Sequence, residues 1–355
     1  MPLLTTTIGS YPKPDYAPVG GWYEDKDEAD RGHHPSDPTR AYNEFLARRS
    51  AADDAAFDRA TQEVVREQAE AGIDVPTDGE VRRDHYIYYH CRHLGGFDFR
   101  NLTDKPMRGG SWSARVPTIT GAITPGRPFL RHDWKVAQAA TRRPVKITVP
   151  GPLTVMDSTA DAHYGDERRL AADLGDALNA EIRDLAEAGC PWIQVDEPLF
   201  ARQPEAALAF GIDALARCFH KVPTGVKRAV HVCCGYPAEL DMEDYPKADP
   251  QTYLDLAEGL AEAPVDAVSI EDAHRHNDLS LLERFGDKAV ILGLVDIART
   301  RVESVEEIRE RLTHALGHID AERLIAGPDC GLVMLPRDLA RAKLANLAEA
   351  AHSIG

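Results

Sequence analysis

The chain contains no apolar run of about 18 residues, the length a helix needs to cross a bilayer, so no transmembrane segment is expected. Positive charge is scarce: 41 Lys and Arg stand against 58 Asp and Glu, a formal net charge of -17. Binding nucleic acid or an anionic membrane takes clustered cations, so neither partner is expected. Six cysteines among 355 residues are too few for a disulfide scaffold. They suit a reducing cytoplasm, where a thiolate stays available to bind metal. The opening residues MPLLTTTIGSYPKP show no basic segment ahead of a long apolar stretch, so no secretory signal is expected. No Gly-x-Gly-x-x-Gly follows the first apolar run, which counts against a dinucleotide-binding sheet. What is present, 43% hydrophobic and 28% charged residues, is the composition of a folded, enzyme-like chain.

Short apolar runs alternate with amphipathic segments along most of this length. Runs at Thr5–Ile8, Ile73–Val75, Val145–Val149, Trp192–Val195, Ala229–Val232, Ala267–Ile270, Val290–Leu294 and Leu324–Ala326 read as strands. Helical spacing fills Ala55–Ala71, Leu170–Ala188, Ala206–Phe219, Pro250–Ala263, Val305–Leu316 and Arg337–His352. Gly72 and Gly189 stand where two of these helices should stop. Eight strands mostly separated by helices count out as an α/β fold, a (β/α)8 TIM barrel, with a doubly wound sheet as the alternative. The units run evenly to the end and no linker divides them, which predicts one barrel domain over 1–355. Residues 81–143 form the main insertion, after the second strand and over the barrel mouth. Within it, Val116–Ile123 predicts part of a hairpin, and the aromatic and basic residues of Arg82–Phe99 a wall. Trp22, Tyr23 and the His33-His34 pair lie in an earlier excursion that can serve the same purpose.

A barrel places chemistry at the C-terminal ends of its strands. His231 and Cys233, in AVHVCCGYP, end the fifth strand two residues apart, so both side chains face one way and Cys234 faces another. Cys330 follows the eighth strand in GPDCG, and Glu271 ends the sixth in VSIED. One nitrogen, two sulfurs and a carboxylate make a tetrahedral zinc set, with Glu271 displaceable to open a position. Spacing alone leaves other arrangements open: buried unligated cysteines packing as small hydrophobes, a closed structural zinc site, or a strained redox pair at Cys233-Cys234.

The ordered blocks IGSYP at Ile8–Pro12, DGE at Asp78–Glu80, GPLT at Gly151–Thr154 and QVDEP at Gln194–Pro198 continue with HVC at His231–Cys233, SIE at Ser269–Glu271 and GPDCGL at Gly327–Leu332. Together they resemble the C-terminal catalytic barrel of the cobalamin-independent methionine synthase family and its short single-barrel relatives, over nearly the whole chain. The resemblance implies zinc held by His231, Cys233, Glu271 and Cys330, and homocysteine held by Ser10, Glu80 and Asp196. Glu80 and Asp196 suit an α-ammonium, and Ser10 an α-carboxylate.

Two departures concern the methyl donor. Full-length members carry a tryptophan against the methylfolate pterin shortly after the GPLT-like block, where this chain has Met156, Asp157 and Ser158. They also carry a histidine, thought to protonate the leaving group, where this chain has Ala298. The N-terminal barrel that helps bind the folate tail in those members is not among these 355 residues. The expectation is therefore alkyl transfer to a thiol, foremost methyl transfer to homocysteine giving methionine. The expected donor is methylcobalamin, with a corrinoid protein as candidate partner, rather than folate. Related enzymes open epoxides with coenzyme M on the same zinc set, which is the alternative. A sulfonate-bearing thiol would call for arginines, and Arg82, Arg83, Arg115 and Arg299 are the candidates. A non-catalytic, zinc-stabilised binding module is a third reading. His274 and His276, close behind Glu271, are candidates for proton transfer or equally for surface loop positions. His85, His90 and His93 have the same standing, with Tyr86 and Tyr89 as candidates for the donor pocket.

Overall fold

The computed structural model describes residues 2–21, 23, 35–107, 110, 112–242 and 245–354; Trp22, His33 and His34 lie outside them. In chain order the strands are β1 (Leu4–Thr5), β2 (Gly95–Met107), β3 (Trp112–Thr124), β4 (Lys146–Pro150), β5 (Ala160–Asp161), β6 (Trp192–Asp196), β7 (Lys227–Val232), β8 (Ala267–Ile270), β9 (Ala289–Gly293) and β10 (Leu324–Gly327). Seven form one parallel sheet in the order β1-β10-β9-β8-β7-β6-β4. All residues of β4, β6 and β8 are buried, as expected of strands covered on both faces.

The eighth stave is built differently. Residues 75–79 lie between the β1 and β4 segments through single parallel bridges, Thr6 with Val75, Ser10 with Gly79 and Thr77 with Lys146. Pro76 has no N–H to give a ladder. Gln68, buried on the helix Ala51–Glu70, substitutes for the missing neighbour: its Oε1 accepts the Thr77 N–H at 3.0 Å and its Nε2 donates to the Thr77 carbonyl at 3.0 Å. The run expected as the second strand is thus in place, and with it the sheet closes into the (β/α)8 barrel. Ile8, Val75, Trp192, Ala229, Ala267, Ile291 and Ile325 pack together as one apolar cluster drawn from seven of the eight staves.

The outer helices follow local chemistry. Asp166 caps the helix Glu167–Ala188 by accepting the N–H groups of Arg168 and Arg169, and Gly189 ends it at φ 105°. The helix expected over Ala206–Phe219 is regular only at Ile212–Cys218; Ala207–Gly211 is wound as a π-helix. Gly211 there lies so close to Leu153 and Phe200 that an added Cβ would stand 2.9 Å from each. Between β8 and β9 the chain makes only a 3-10 segment, Leu279–Phe285. Among the described residues no helix is long and apolar enough to cross a membrane.

Residues 81–143 contain the short helix Tyr86–Cys91, the antiparallel pair β2–β3 and the helix Leu130–Gln138. The hairpin is longer than Val116–Ile123 suggests, and β5 adds to it in parallel. Its apolar residues Ile119 and Ile123 pack with Ile87, Tyr88 and Cys91, and with Leu170, Leu174 and Ala177 of the neighbouring outer helix. The last helix of the stretch is tied to that same outer helix: Glu181 accepts the N–H groups of Phe129 and Leu130, and Arg131 pairs with Asp184.

Candidate functional site

Strand register builds the centre. Asp196, His231 and Ser269 are partners on β6, β7 and β8, so their side chains sit side by side. Ser269 Oγ lies 2.9 Å from His231 Nδ1, and burial pulls the His231 pKa below its ordinary value. The imidazole is therefore neutral, with its Nε2 buried and without a hydrogen-bond partner. Cys233, two residues on, and Cys330, beyond β10, bring their sulfurs to it, and the three ligand atoms lie within 4.8 Å of one another. The Cys330 thiol beside it holds Cys233 below its ordinary value, and the same contact pushes Cys330 up. One nitrogen and two sulfurs are a donor set that fits zinc. Cys234 turns into the apolar core, where burial pushes its thiol up to about 12, and all six cysteines are free.

Glu271 stands beside this trio rather than within it. Tyr253 fixes its backbone, accepting the Glu271 N–H at 3.0 Å and donating to the Val232 carbonyl at 2.7 Å. Asp329, next to Cys330, accepts the N–H groups of Asp272, Ala273 and His274. An added Cβ on Gly293 would stand 2.2 Å from Asp329 Oδ1, so only glycine leaves room for this clasp. Glu271 Oε2 pairs with Lys247 Nζ at 2.6 Å, and Oε1 is buried with no hydrogen-bond partner. Burial and the Cys233 sulfur push the Glu271 carboxyl up, while the Lys247 ammonium opposes them. Burial alone would lower Lys247; the charges of Glu271 and Cys233 more than offset it and raise its pKa.

A cavity of about 200 Å³ opens over the trio, and Ser10, Glu80 and Asp196 line it with His231, Cys233 and Cys330. Asp196 is pushed up to about 7 by burial and accepts Gln194 Nε2 at 2.7 Å. Glu80, at the left-handed φ of 57°, has Oε1 engaged by Thr148 Oγ1 at 2.7 Å and Arg83 Nη1 at 3.2 Å. Ser10 bridges Gly79 through the backbone, and its Oγ would lie 2.1 Å from a Cβ on Gly331. Gly331 thus lets the hydroxyl lie against the Cys330 turn.

The outer walls carry Tyr86, Tyr88, Met107, Trp112, Asp157 and Ser158; Met156 instead packs with the core. His85 lines this part, stacked on Tyr88 at 4.2 Å and lowered to about 3 by burial. His90 Nδ1 donates to the Tyr86 carbonyl, His93 stacks on Phe129, and Tyr89 donates to Asp133; none of the three lines the cavity. His274 is also outside its lining, with Nδ1 3.2 Å from Tyr245 Oη and 3.7 Å from Asp296. His276 belongs to a separate polar cleft with Arg299. Ala298 is fully buried. Arg83 lines the cavity but is paired with Glu80 and Asp78, Arg82 pairs with Asp58 and Asp133, and Arg115 is surface-exposed beside Asp37.

Sequence reasoning missed Lys247, Tyr253 and Asp329. It also missed what joins two of its own motifs: Glu197 of QVDEP accepts the N–H groups of Leu153 and Thr154 and the Thr154 hydroxyl, holding the GPLT turn. A Cβ on Gly151 would stand 2.2 Å from that carboxyl, which explains the glycine.

Comparison with known proteins identifies the family. The family model described as the catalytic domain of cobalamin-independent synthase matches residues 35–353. The methionine synthase of Sulfolobus acidocaldarius is 31% identical over 347 residues, 97% of this chain and 90% of that protein. That of Saccharolobus solfataricus is 31% identical over 354 residues, covering 98% and 94%. A B12-independent methionine synthase from a Shewanella species, solved in complex with selenomethionine, superposes with a TM-score of 0.85 at 28% identity, over 100% of this chain and 98% of that one. A family model spanning most of the chain, full-length relatives and a shared barrel leave one assignment: the chain is an enzyme of the cobalamin-independent methionine synthase family.

Proposed function

We propose that this enzyme transfers a methyl group to the sulfur of homocysteine, giving methionine, with zinc held by His231, Cys233 and Cys330 and by Glu271 as an oxygen donor. The observation that carries the reading is one cavity in which the orphan nitrogen and two sulfurs meet Asp196, Glu80 and Ser10. When bound, zinc supplies a Lewis acid that lowers a thiol's pKa while leaving its sulfur nucleophilic. Asp196, steadied by Gln194, receives the α-ammonium, whose charge draws the buried carboxyl into its ionised form. Glu80 contributes at longer range, because Thr148 and Arg83 already engage its Oε1. Ser10, against the Cys330 turn, receives the α-carboxylate. The homocysteine sulfur then attacks the methyl carbon in line as the carbon's bond to its carrier breaks, and the cavity walls exclude water. The selenomethionine in the Shewanella relative is the selenium analogue of the product this scheme predicts.

The donor in this reading is methylcobalamin, free or on a corrinoid protein, rather than methylfolate: Asp157 and Ser158 occupy the outer wall and Ala298 is sealed from it. A cytoplasmic setting, where thiolates stay reduced, suits this chemistry. Residues 81–143 are read as an insertion roofing a single barrel domain, and His274 as a group held by Asp296 behind the site. The coenzyme M alternative is weakened because the sulfonate candidates are paired or face elsewhere. A binding module would have no use for unsatisfied metal donors facing an open cavity.

The test is a product panel: zinc-loaded protein with homocysteine or coenzyme M against methylcobalamin, methylfolate and a small epoxide, followed by mass. Methionine formed from methylcobalamin is expected. Product only from coenzyme M with the epoxide would overturn the proposal.

A further inference from the structure

Lys247 is the one cation whose nitrogen hydrogen-bonds a carboxylate at the rim of the metal trio among the described residues. It comes from the loop between β7 and the helix Thr252–Glu262, a stretch with no periodic pattern and no motif. Its side chain and that of Glu271 are 8% and 5% exposed, so this is an ion pair with almost no solvent to screen it. The ring of Tyr245 lies 5.0 Å from the ammonium, and Tyr245 is in turn held at its hydroxyl by His274. One carboxylate oxygen is thus fully used, while the other, Oε1, is buried without any hydrogen-bond partner.

A carboxylate so placed faces two demands. To serve as a metal ligand it must offer Oε1 to the cation. To let a thiol take that position it must withdraw, and without a counter-charge a withdrawn carboxylate in a site this buried would be left uncompensated. Resting on the reading of the site given above, we propose that Lys247 is a positioning residue that makes Glu271 a weak, displaceable ligand. The ammonium competes with the metal for the carboxylate's charge, and it stays as the counter-charge when Glu271 lets go. None of His231, Cys233 and Cys330 makes such an ion pair: the His231 ring is held by a neutral hydroxyl, and Cys233, which lies against Cys330, feels the Lys247 charge without a hydrogen bond to its nitrogen. The trio is the permanent part of the site and Glu271 the exchangeable part.

The sign of one measurement separates this role from a merely structural one. A partner that only orients a ligand weakens metal binding by about 10–100-fold when it is removed. Taking away a competing cation does the reverse. The full chain, loaded with cobalt(II) as a spectroscopic substitute for zinc, is titrated against a chelator and then with homocysteine while the thiolate-to-cobalt absorption is followed. Lys247→Met is expected to tighten metal binding by about tenfold and weaken homocysteine binding by about tenfold or more. Lys247→Gln, which keeps a hydrogen bond without the charge, should move both constants the same way, and Lys247→Arg should stay near the parent. In a Glu271→Gln background, Lys247→Met should change both constants much less than in the parent, leaving only the charge it exerts on Cys233. Metal binding that is weaker or unchanged in Lys247→Met and Lys247→Gln overturns the proposal. Should homocysteine add nothing to the thiolate-to-cobalt absorption of the parent protein, the acceptor reading fails, while the chelator titration still decides the role of Lys247.

Discussion

A histidine and two cysteines make a metal site only if each has a free donor atom aimed at the same point. His231 meets that condition because Ser269 occupies its other nitrogen, fixing the ring and the tautomer. Cys330 meets it because Asp329 and Gly331 shape the turn around it. Cys330→Ser should therefore lower zinc affinity by about 100-fold or more and abolish thiol methylation. The far-UV spectrum should be unchanged, and zinc content per chain after dialysis is the check. Retention of a full zinc equivalent would contradict the assignment. At this scale the sequence was readable where a side chain's direction follows from strand period, as for His231 and Cys233, or from a strand end, as for Cys330, whereas Glu271, expected among the ligands, pairs with Lys247 beside the trio. It was silent on Lys247 and Tyr253, which reach Glu271 from 24 and 18 residues away and whose direction no periodicity sets.

Elements were legible to the extent that they were regular. β8 and the helix Arg337–His352 have the bounds their patterns predict, because burial on a sheet face or helix stripe repeats along them. The second stave has no such repeat. Pro76 breaks its ladder, and its pairing depends on Gln68, a residue on a different element. Gln68→Leu should strand the Thr77 N–H and carbonyl in the interior and cost about 2 kcal/mol or more, read from urea unfolding. A loss below half of that would mean another group satisfies them.

The Leu130–Gln138 helix depends similarly on Glu181, whose carboxyl receives the N–H groups of Phe129 and Leu130. Burial pushes Glu181 up to about 7 from 4.5. The native chain keeps this proton to a higher pH than the unfolded chain does, so it binds more protons between those values. Stability contributed here consequently falls as pH rises from about 4.5 to 7. Glu181→Gln keeps an acceptor but does not titrate, so the difference in urea midpoint between pH 5 and pH 8 should shrink relative to the parent. An unchanged difference would rule out Glu181 as its source.

On the scale of the molecule, closing the ring is what turns scattered motifs into a site. Strand ends separated by up to 320 positions, Ser10 and Cys330, meet because β1 lies beside β10. The eight-stave count gave that neighbourhood in advance. The part of the cavity wall that Met107 and Trp112 supply was less legible, because the hairpin β2–β3 is held by contacts with the outer helix Glu167–Ala188 rather than by a pattern of its own. Glu197, which joins the GPLT and QVDEP blocks, likewise acts across two staves. The acceptor half of the site is assembled around His231, Cys233 and Cys330, and the account stands or falls on a substrate sulfur joining them. X-ray absorption at the zinc edge, taken before and after adding homocysteine, tests that claim most directly. The account predicts that the sulfur contribution rises from the two of Cys233 and Cys330 to three, at the expense of an oxygen. A spectrum unchanged by saturating homocysteine, with the metal bound, would contradict it.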